Sequence, residues 1–384
     1  MFVKKLSAIL LLLFFLPAGH SESYAENGIT DTEIIIGQSC ALTGPAQAIG
    51  ISMKEGLTAY FEKINQAGGI KGRTIRLISL DDGYEPEKAI TNTRQLIGND
   101  KVFLTIGYVG TPTSKAVFPI LDELNIPFFA PFTGAEFLRN PLKKNVINIR
   151  ASYYQEMEKL AQYLVDILHK TKIACFFQND DYGQAGLLGI QLALKKRSLE
   201  LMATGTYERN SMAVKSGFLK IRKADPEAVV MVGAYQPCAE FIKIAKAHGL
   251  EDTLFCNISF VGTQALINEL GEQGNGTIIS QVVQYPWDES IPVVKEFIKD
   301  MAQFIPEAKI NFISFEGYIT AKFFCTALAK TDTTLTRSNL IAAIEAMGTI
   351  DLDGIKLTFG KDDHQGMDDV FLTVIKDGKT QPIE

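Results

Sequence analysis

The side chains best suited to chemistry here are small hydroxyls, tyrosines and glycines that recur in one kind of place. The β-branched and aromatic run at 33–37 leads into Gln38, Ser39, Thr43 and Gly44. The run at 102–107 leads into Tyr108, Gly110, Thr111, Pro112, Thr113 and Ser114, and 126–130 leads into Pro131, Phe132, Thr133 and Gly134. In the second half, 173–177 is followed by Asp180, Asp181, Tyr182 and Gly183, and 228–233 by Ala234, Tyr235 and Gln236. Hydroxyls and backbone amides hold a polar ligand by hydrogen bonds, whereas bond breaking needs a positioned base or nucleophile. The Thr111-Pro112 step is the sharpest case. It predicts a helix with Thr111 at the N-cap and Pro112 at the first helical position, with the amides of Thr113 and Ser114 and the hydroxyls of Thr111 and Thr113 facing a carboxylate. An ordinary capped helix accounts for the same residues, so the repetition across loops is the signal.

Catalytic motifs are missing: there is no GxSxG, HExxH, Walker loop or GxGxxG. His169, His248 and His364 lie in charged or glycine-flanked stretches and read as solvated surface residues. The pairs Asp81-Asp82, Asp180-Asp181 and Asp362-Asp363 read as turn or cap residues. Cys40, Cys175, Cys238, Cys256 and Cys325 form no CxxC pair, which argues against zinc or thiol redox chemistry. Cys175 and Cys325 sit in apolar runs and read as core; a single disulfide after export is open, with no pairing indicated. Nothing calls for a metal or a cofactor. Gly68-Gly69-Ile70-Lys71-Gly72 resembles a phosphate loop in composition but follows a helix and precedes a strand, the wrong order, and reads as a helix C-cap and turn.

Elements that could position these loops alternate along the chain. The five runs above, with 74–80 and 277–283, read as strands. Between them Met53, Leu57, Tyr60, Phe61 and Ile64 share one helical face, as do Val117, Ile120, Leu121 and Leu124, and Met157, Leu160, Ala161, Leu164 and Leu168. Strands alternating with amphipathic helices predict an α/β fold with parallel sheets. Ligands bind outside the carboxyl ends of such strands, so loops from two facing sheets would line one crevice. The length of 384 residues favours two domains, and the absence of a low-complexity linker favours lobes joined by crossing strands.

Lys4 and Lys5, the apolar run 6–16 and the small residues at 23–25 predict a signal peptide over 1–25, too short for a spanning helix. The net charge of −6, with no basic run, argues against nucleic acid or an anionic membrane as partner.

The segments ITDTEIIIGQSCALTGPAQAIG, GLTAYFEKINQAGGIKGRTIRLISLDDGYEP, IGYVGTPTSKA, PFTGAEF, NDDYGQAGL, VVMVGAYQP and DLDGIKLTF together resemble the leucine/isoleucine/valine-binding protein family, type I periplasmic binding proteins that feed ABC importers. The resemblance implies two Rossmann-like lobes with three crossing segments near Ser152, Gln281 and Val370. Lobe 1 would be 30–152 plus 282–369, and lobe 2 153–281 plus 370–384. It implies a monomeric, non-enzymatic periplasmic receptor, not embedded in the membrane, whose partners are a small carboxylate or hydrophobic amino acid and an inner-membrane ABC permease. A sensor for an aromatic or 2-oxo acid or amide, acting on a signalling partner, is the alternative. By the family pattern Thr111 and Thr133 bind the ligand carboxylate, Pro131 offers a backbone carbonyl, and Tyr182 and Tyr235 close from the second lobe. Two positions depart from the pattern. Ile49 stands where the family has an aromatic residue, and Ser259 stands where an acid pairs with the ligand ammonium, leaving Asp181 and Glu136 as the nearest substitutes. Tyr108, Phe132, Tyr153 and Tyr154 are expected to widen the pocket.

Overall fold

The computed structural model of the protein describes residues 26–331 and 334–383; the segment expected to be a signal peptide lies outside the described residues. The chain opens with β1 (Glu33–Cys40), α1 (Gln47–Gln66), β2 (Thr74–Asp81), α2 (Pro86–Gly98), β3 (Thr105–Ile106), α3 (Thr111–Glu123), β4 (Phe128–Phe129) and β5 (Val146–Ile147). These strands form a parallel sheet in the order β2-β1-β3-β4-β5. Next come α4 (Tyr153–Ala161), β6 (Ile173–Gln178), α5 (Asp181–Lys195), β7 (Ala203–Tyr207), α6 (Lys215–Arg222), β8 (Ala228–Val232), α7 (Tyr235–Ala247), β9 (Leu254–Asn257), α8 (Thr263–Leu270) and β10 (Ile278–Gln281). Their strands repeat the first order, as β7-β6-β8-β9-β10. Both sheets therefore reverse direction beside their first strand, between β1 and β3 and between β6 and β8, which is where such sheets open a crevice.

The chain then returns to the first half. α9 (Pro292–Phe304), α10 (Phe312–Lys330) and α11 (Arg337–Met347) precede the hairpin of β11 (Thr349–Asp351) and β12 (Lys356–Thr358). It crosses back once more to add β13 (Phe371–Lys376) antiparallel to β10, and β14 (Lys379–Pro382) antiparallel to β13. The second sheet is thus mixed, not parallel as expected, because its last two strands arrive as a hairpin that needs no helical crossover. β6 and β8 are buried along their whole length, as strands covered on both faces must be. α10 is apolar almost all round and packs on α1. A Cβ at Gly56 would come within 1.9 Å of the Ser314 carbonyl oxygen, and one at Gly317 within 2.5 Å of the Met53 carbonyl oxygen.

Two strands are shorter than the sequence runs suggested. β3 ends before Gly107, at φ +61°, and β4 before Ala130, at φ +47°. The left-handed backbone at these two residues turns each chain into the loop that follows the strand. The 68–72 segment forms the turn between α1 and β2. His364 is buried, contrary to the surface reading: its ring sits between the Val146 carbonyl at 3.0 Å and Glu345 at 3.2 Å. All five cysteines are free and buried.

Candidate functional site

Gly110 sets the first wall. Its φ of +103° suits glycine, and a Cβ there would stand 2.2 Å from the Tyr84 ring. Gly110 rather than Thr111 occupies the cap position, and α3 starts at Thr111. Freed from capping, the Thr111 hydroxyl meets the Thr133 hydroxyl at 2.7 Å. Thr133 Oγ1 also accepts the Ala135 N–H at 3.2 Å, so the pair keeps one hydroxyl proton to give away. Thr113 does not face the crevice with its hydroxyl, which donates to the carbonyls of Val109 at 2.5 Å and Gly110 at 3.0 Å. The Pro131 carbonyl accepts the Thr133 N–H at 2.8 Å and is spent on the turn.

Tyrosines and phenylalanines fill the space above the threonines. Tyr153 opens α4 behind Ser152, whose side chain closes a capping box with Gln155. From the second sheet, Asp180 caps α5 and accepts the Tyr182 N–H at 3.0 Å, which fixes Tyr182 at the mouth of that helix. Tyr153 and Tyr182 pack at 5.5 Å, Tyr182 and Phe260 at 4.6 Å, and Phe260 meets Phe132 at 5.6 Å and Tyr84 at 5.9 Å. The Tyr153 and Tyr182 hydroxyls are buried and complete no hydrogen bond. Burial pushes the Tyr153 phenol up, partly offset by Arg150 and by the neighbouring Thr133 and Thr111 hydroxyls.

A charged cluster lies beside these rings. Arg150, 1 % exposed, stacks its guanidinium 4.2 Å from the Phe132 ring centre and donates from Nη2 to the Ser259 hydroxyl. Its Nε stands 3.4 Å from Glu316 without hydrogen-bond alignment, and its Nη1 has no partner. Glu156, fully buried, accepts the Ser259 N–H at 2.8 Å, the Ser259 hydroxyl at 3.0 Å and the Ser280 hydroxyl at 2.6 Å. Burial raises the Glu156 carboxyl, against the pull of Arg150 and these donors. Burial raises Glu316 to about 7, with Arg150 opposing and Glu156 adding to the shift. Arg150 itself is held above its ordinary value: burial works against its charge, but Glu316 and Glu156 outweigh it.

The structure thus brings together Thr111, Thr133, Phe132, Tyr153, Tyr182 and Ser259 from the sequence-derived set. Tyr235 is buried at the rim with its hydroxyl against the Ala48 backbone. Tyr108 points away, into the core between α2 and α3, bonded to Thr93 at 3.1 Å and edge-on to Phe128. Tyr154 packs outward against Gly189. Asp181 pairs at the surface with Lys115 at 2.5 Å, so it substitutes for no cleft acid. Glu136 lies in a short 3-10 turn after β4 and has no contact with the cluster among the described bonds.

Sequence reasoning missed Arg150, Glu156, Glu316, Tyr84 and Phe260. Two signals were there to read. Arg150 directly follows Val146, Ile147 and Ile149, and Glu316 is a lone acid inside the largely apolar stretch 312–321. A charge placed in such a run must be paired or functional. At the other side of the crevice a groove of about 340 Å³ separates α1 from α8, lined by Ser52, Glu55, Gln264 and Asn268. Among the described residues no helix is long and apolar enough to cross a membrane.

A family model described as periplasmic binding protein matches residues 33–380. Over 204 residues the chain is 28 % identical to the Leu/Ile/Val-binding protein homolog 3 of Brucella melitensis, covering 53 % of this chain and 55 % of that protein. The chain thus spans little more than half the length of that curated relative. A solved structure of a possible leucine/isoleucine/valine-binding protein from Rhodopirellula baltica is 34 % identical, with a TM-score of 0.87, covering 94 % of this chain and 98 % of that one. A fatty acid ABC transporter substrate-binding protein from Thermomonospora curvata shares the fold at 23 % identity and a TM-score of 0.84, covering 94 % of this chain and 93 % of that one.

Proposed function

The chain belongs to the periplasmic binding protein family, and from that premise we propose that it captures a small carboxylate with an apolar body in the crevice between its two sheets. The lobes we assign are 30–152 with 282–369 and 153–281 with 370–384. One observation carries the reading. Buried hydrogen-bond donors without partners, from both halves of the chain, converge beside the Thr111–Thr133 pair and an aromatic wall. Buried polar groups are ordinarily satisfied, so a cluster of unsatisfied ones marks a place where a ligand supplies the partner. No base and nucleophile meet there, so the site binds and does not transform. The protein is exported to the periplasm after removal of 1–25, acts as a monomer and hands its ligand to an ABC permease. A branched-chain or other hydrophobic amino acid, or a related acid, is the ligand class.

A thermal-shift panel of hydrophobic amino acids, 2-oxo acids, aromatic acids and amides tests this. A ligand at about 100 times its Kd adds about 2.7 kcal/mol to stability. Thr111→Ala combined with Thr133→Ala should weaken binding at least tenfold while leaving the fold intact, since a hydrogen bond to a charged group is worth about 1.5–3 kcal/mol. Unchanged affinity would remove the threonines from the site, and no shift with any class would remove the crevice reading altogether.

A further inference from the structure

Resting on the crevice reading above, we infer that Arg150 forms the acid-binding end of the site and that the preferred ligand is an acid without an α-ammonium group. Arg150 Nη1, Tyr153 Oη and Tyr182 Oη are buried and unpartnered, and the Thr111–Thr133 pair retains one hydroxyl proton. That makes four donors, and a carboxylate offers about four acceptor positions.

Three of the acids nearby are held by the protein's own donors. Glu156 takes its bonds from Ser259 and Ser280. Asp180 accepts from Tyr182, Gln178 and Arg209, and Asp82 accepts from Ser39 and Tyr84. Glu316 faces Arg150. An ammonium that took Glu316 would draw away one of the two carboxyls that hold the buried Arg150 charge, Glu156 being the other, which is costly. Ser259 stands between the two charges, accepting from Arg150 Nη2 and donating its hydroxyl and its N–H to Glu156. A planar guanidinium matches a carboxylate with two parallel hydrogen bonds. The rings of Phe132, Phe260, Tyr84 and Tyr182 pack into an apolar wall beside these donors, which suits an aromatic or branched body. Phenylpyruvate-like and branched 2-oxo acids, and aryl carboxylates, have this chemistry.

Calorimetry on the full-length mature protein with matched pairs decides it: leucine against 4-methyl-2-oxopentanoate, and phenylalanine against phenylpyruvate. The oxo acid of each pair should bind tighter, on the order of tenfold. An amino acid that binds as tightly as its oxo partner, or tighter, overturns the inference while leaving the crevice reading standing. Binding of neither class overturns both. Arg150→Lys should cut oxo-acid affinity at least tenfold, because lysine keeps the charge and loses the fork. Tyr182→Phe, which removes only an unpartnered hydroxyl, should cut it at least threefold with circular dichroism unchanged. It decides the matter where Arg150→Lys fails to fold, and unaltered affinity in Tyr182→Phe counts against the donor set.

Discussion

Arg150, Glu156 and Glu316 share one buried site, and the burial of a carboxyl there sets how the protein responds to pH. Glu316 titrates in the folded protein at about 7 against an ordinary 4.5. A carboxyl with a raised folded pKa binds its proton more tightly folded than unfolded. Its contribution to stability is therefore complete below about 4.5 and is lost as pH rises through about 7. Asp82 acts in the same sense at about 6, raised by burial despite its bonds from Ser39 and Tyr84. Stability should fall by roughly 1–3 kcal/mol between about pH 5 and pH 8. Glu316→Gln should flatten most of that slope and match the parent near pH 5, where the parent is already protonated. Urea unfolding at the two pH values checks this; a slope of unchanged size in the variant would show that Glu316 is not its source.

At the scale of elements, the crossing of α1 and α10 depends on backbone meeting backbone. Gly56 faces the Ser314 carbonyl and Gly317 faces the backbone of Met53 and Leu57, so the helices touch there without a side chain between them. Glycine inside a helix costs about 1 kcal/mol relative to alanine, so Gly56→Ala would stabilise an isolated helix. Here the added methyl meets a carbonyl oxygen that cannot move aside, and overpacking of this kind costs about 1–3 kcal/mol or more. Gly56→Ala should lower the unfolding midpoint, and a midpoint equal to the parent's or higher would refute the close crossing. The consequence reaches the crevice, because α10 carries Glu316 and its seating on α1 sets how near Glu316 stands to Arg150.

For the whole molecule the question is what holds the two sheets' loops together. Arg209, from the loop after β7, bridges Glu85 of the first half at 3.0 Å and Asp180 of its own half at 3.2 Å. Asn210 reaches the Gly83 carbonyl at 3.0 Å and Glu85 at 2.7 Å, and Gln178 donates to the Tyr84 hydroxyl at 3.3 Å. Arg209 Nε is itself without a partner, but the bonds above join one half of the chain to the other and so act on closure. Arg209→Ala should raise the apparent Kd by about three- to tenfold through a smaller closed fraction, a modest effect because half-exposed ion pairs are worth little. Solution scattering should show ligand reducing the radius of gyration in the parent and reducing it less at the same ligand concentration in the variant. Identical curves with and without a verified ligand would exclude closure.

The alternation of runs such as 173–177 and 228–233 with helical faces made the α/β class legible from sequence, because local period follows directly from strand and helix geometry. The hydroxyls at Thr111 and Thr133 were legible too, since they stand immediately after strands whose carboxyl ends must face a crevice. What the sequence could not settle was direction. Tyr108 and Tyr153 look alike as aromatic residues beside a strand end, yet one turns into the core behind α3 and the other into the crevice. That choice rests on Gly107, Gly110 and Ala130, whose left-handed backbone redirects the chain. Nor could it bring together Arg150 and Glu156, Ser259, and Glu316, which come from three separate parts of the chain. Ser259 read alone suggested a missing acid. Only packing shows that an acid is nearby and already occupied, and that a cation stands at the same place, because charge pairing across 166 residues of sequence is decided by where the elements meet.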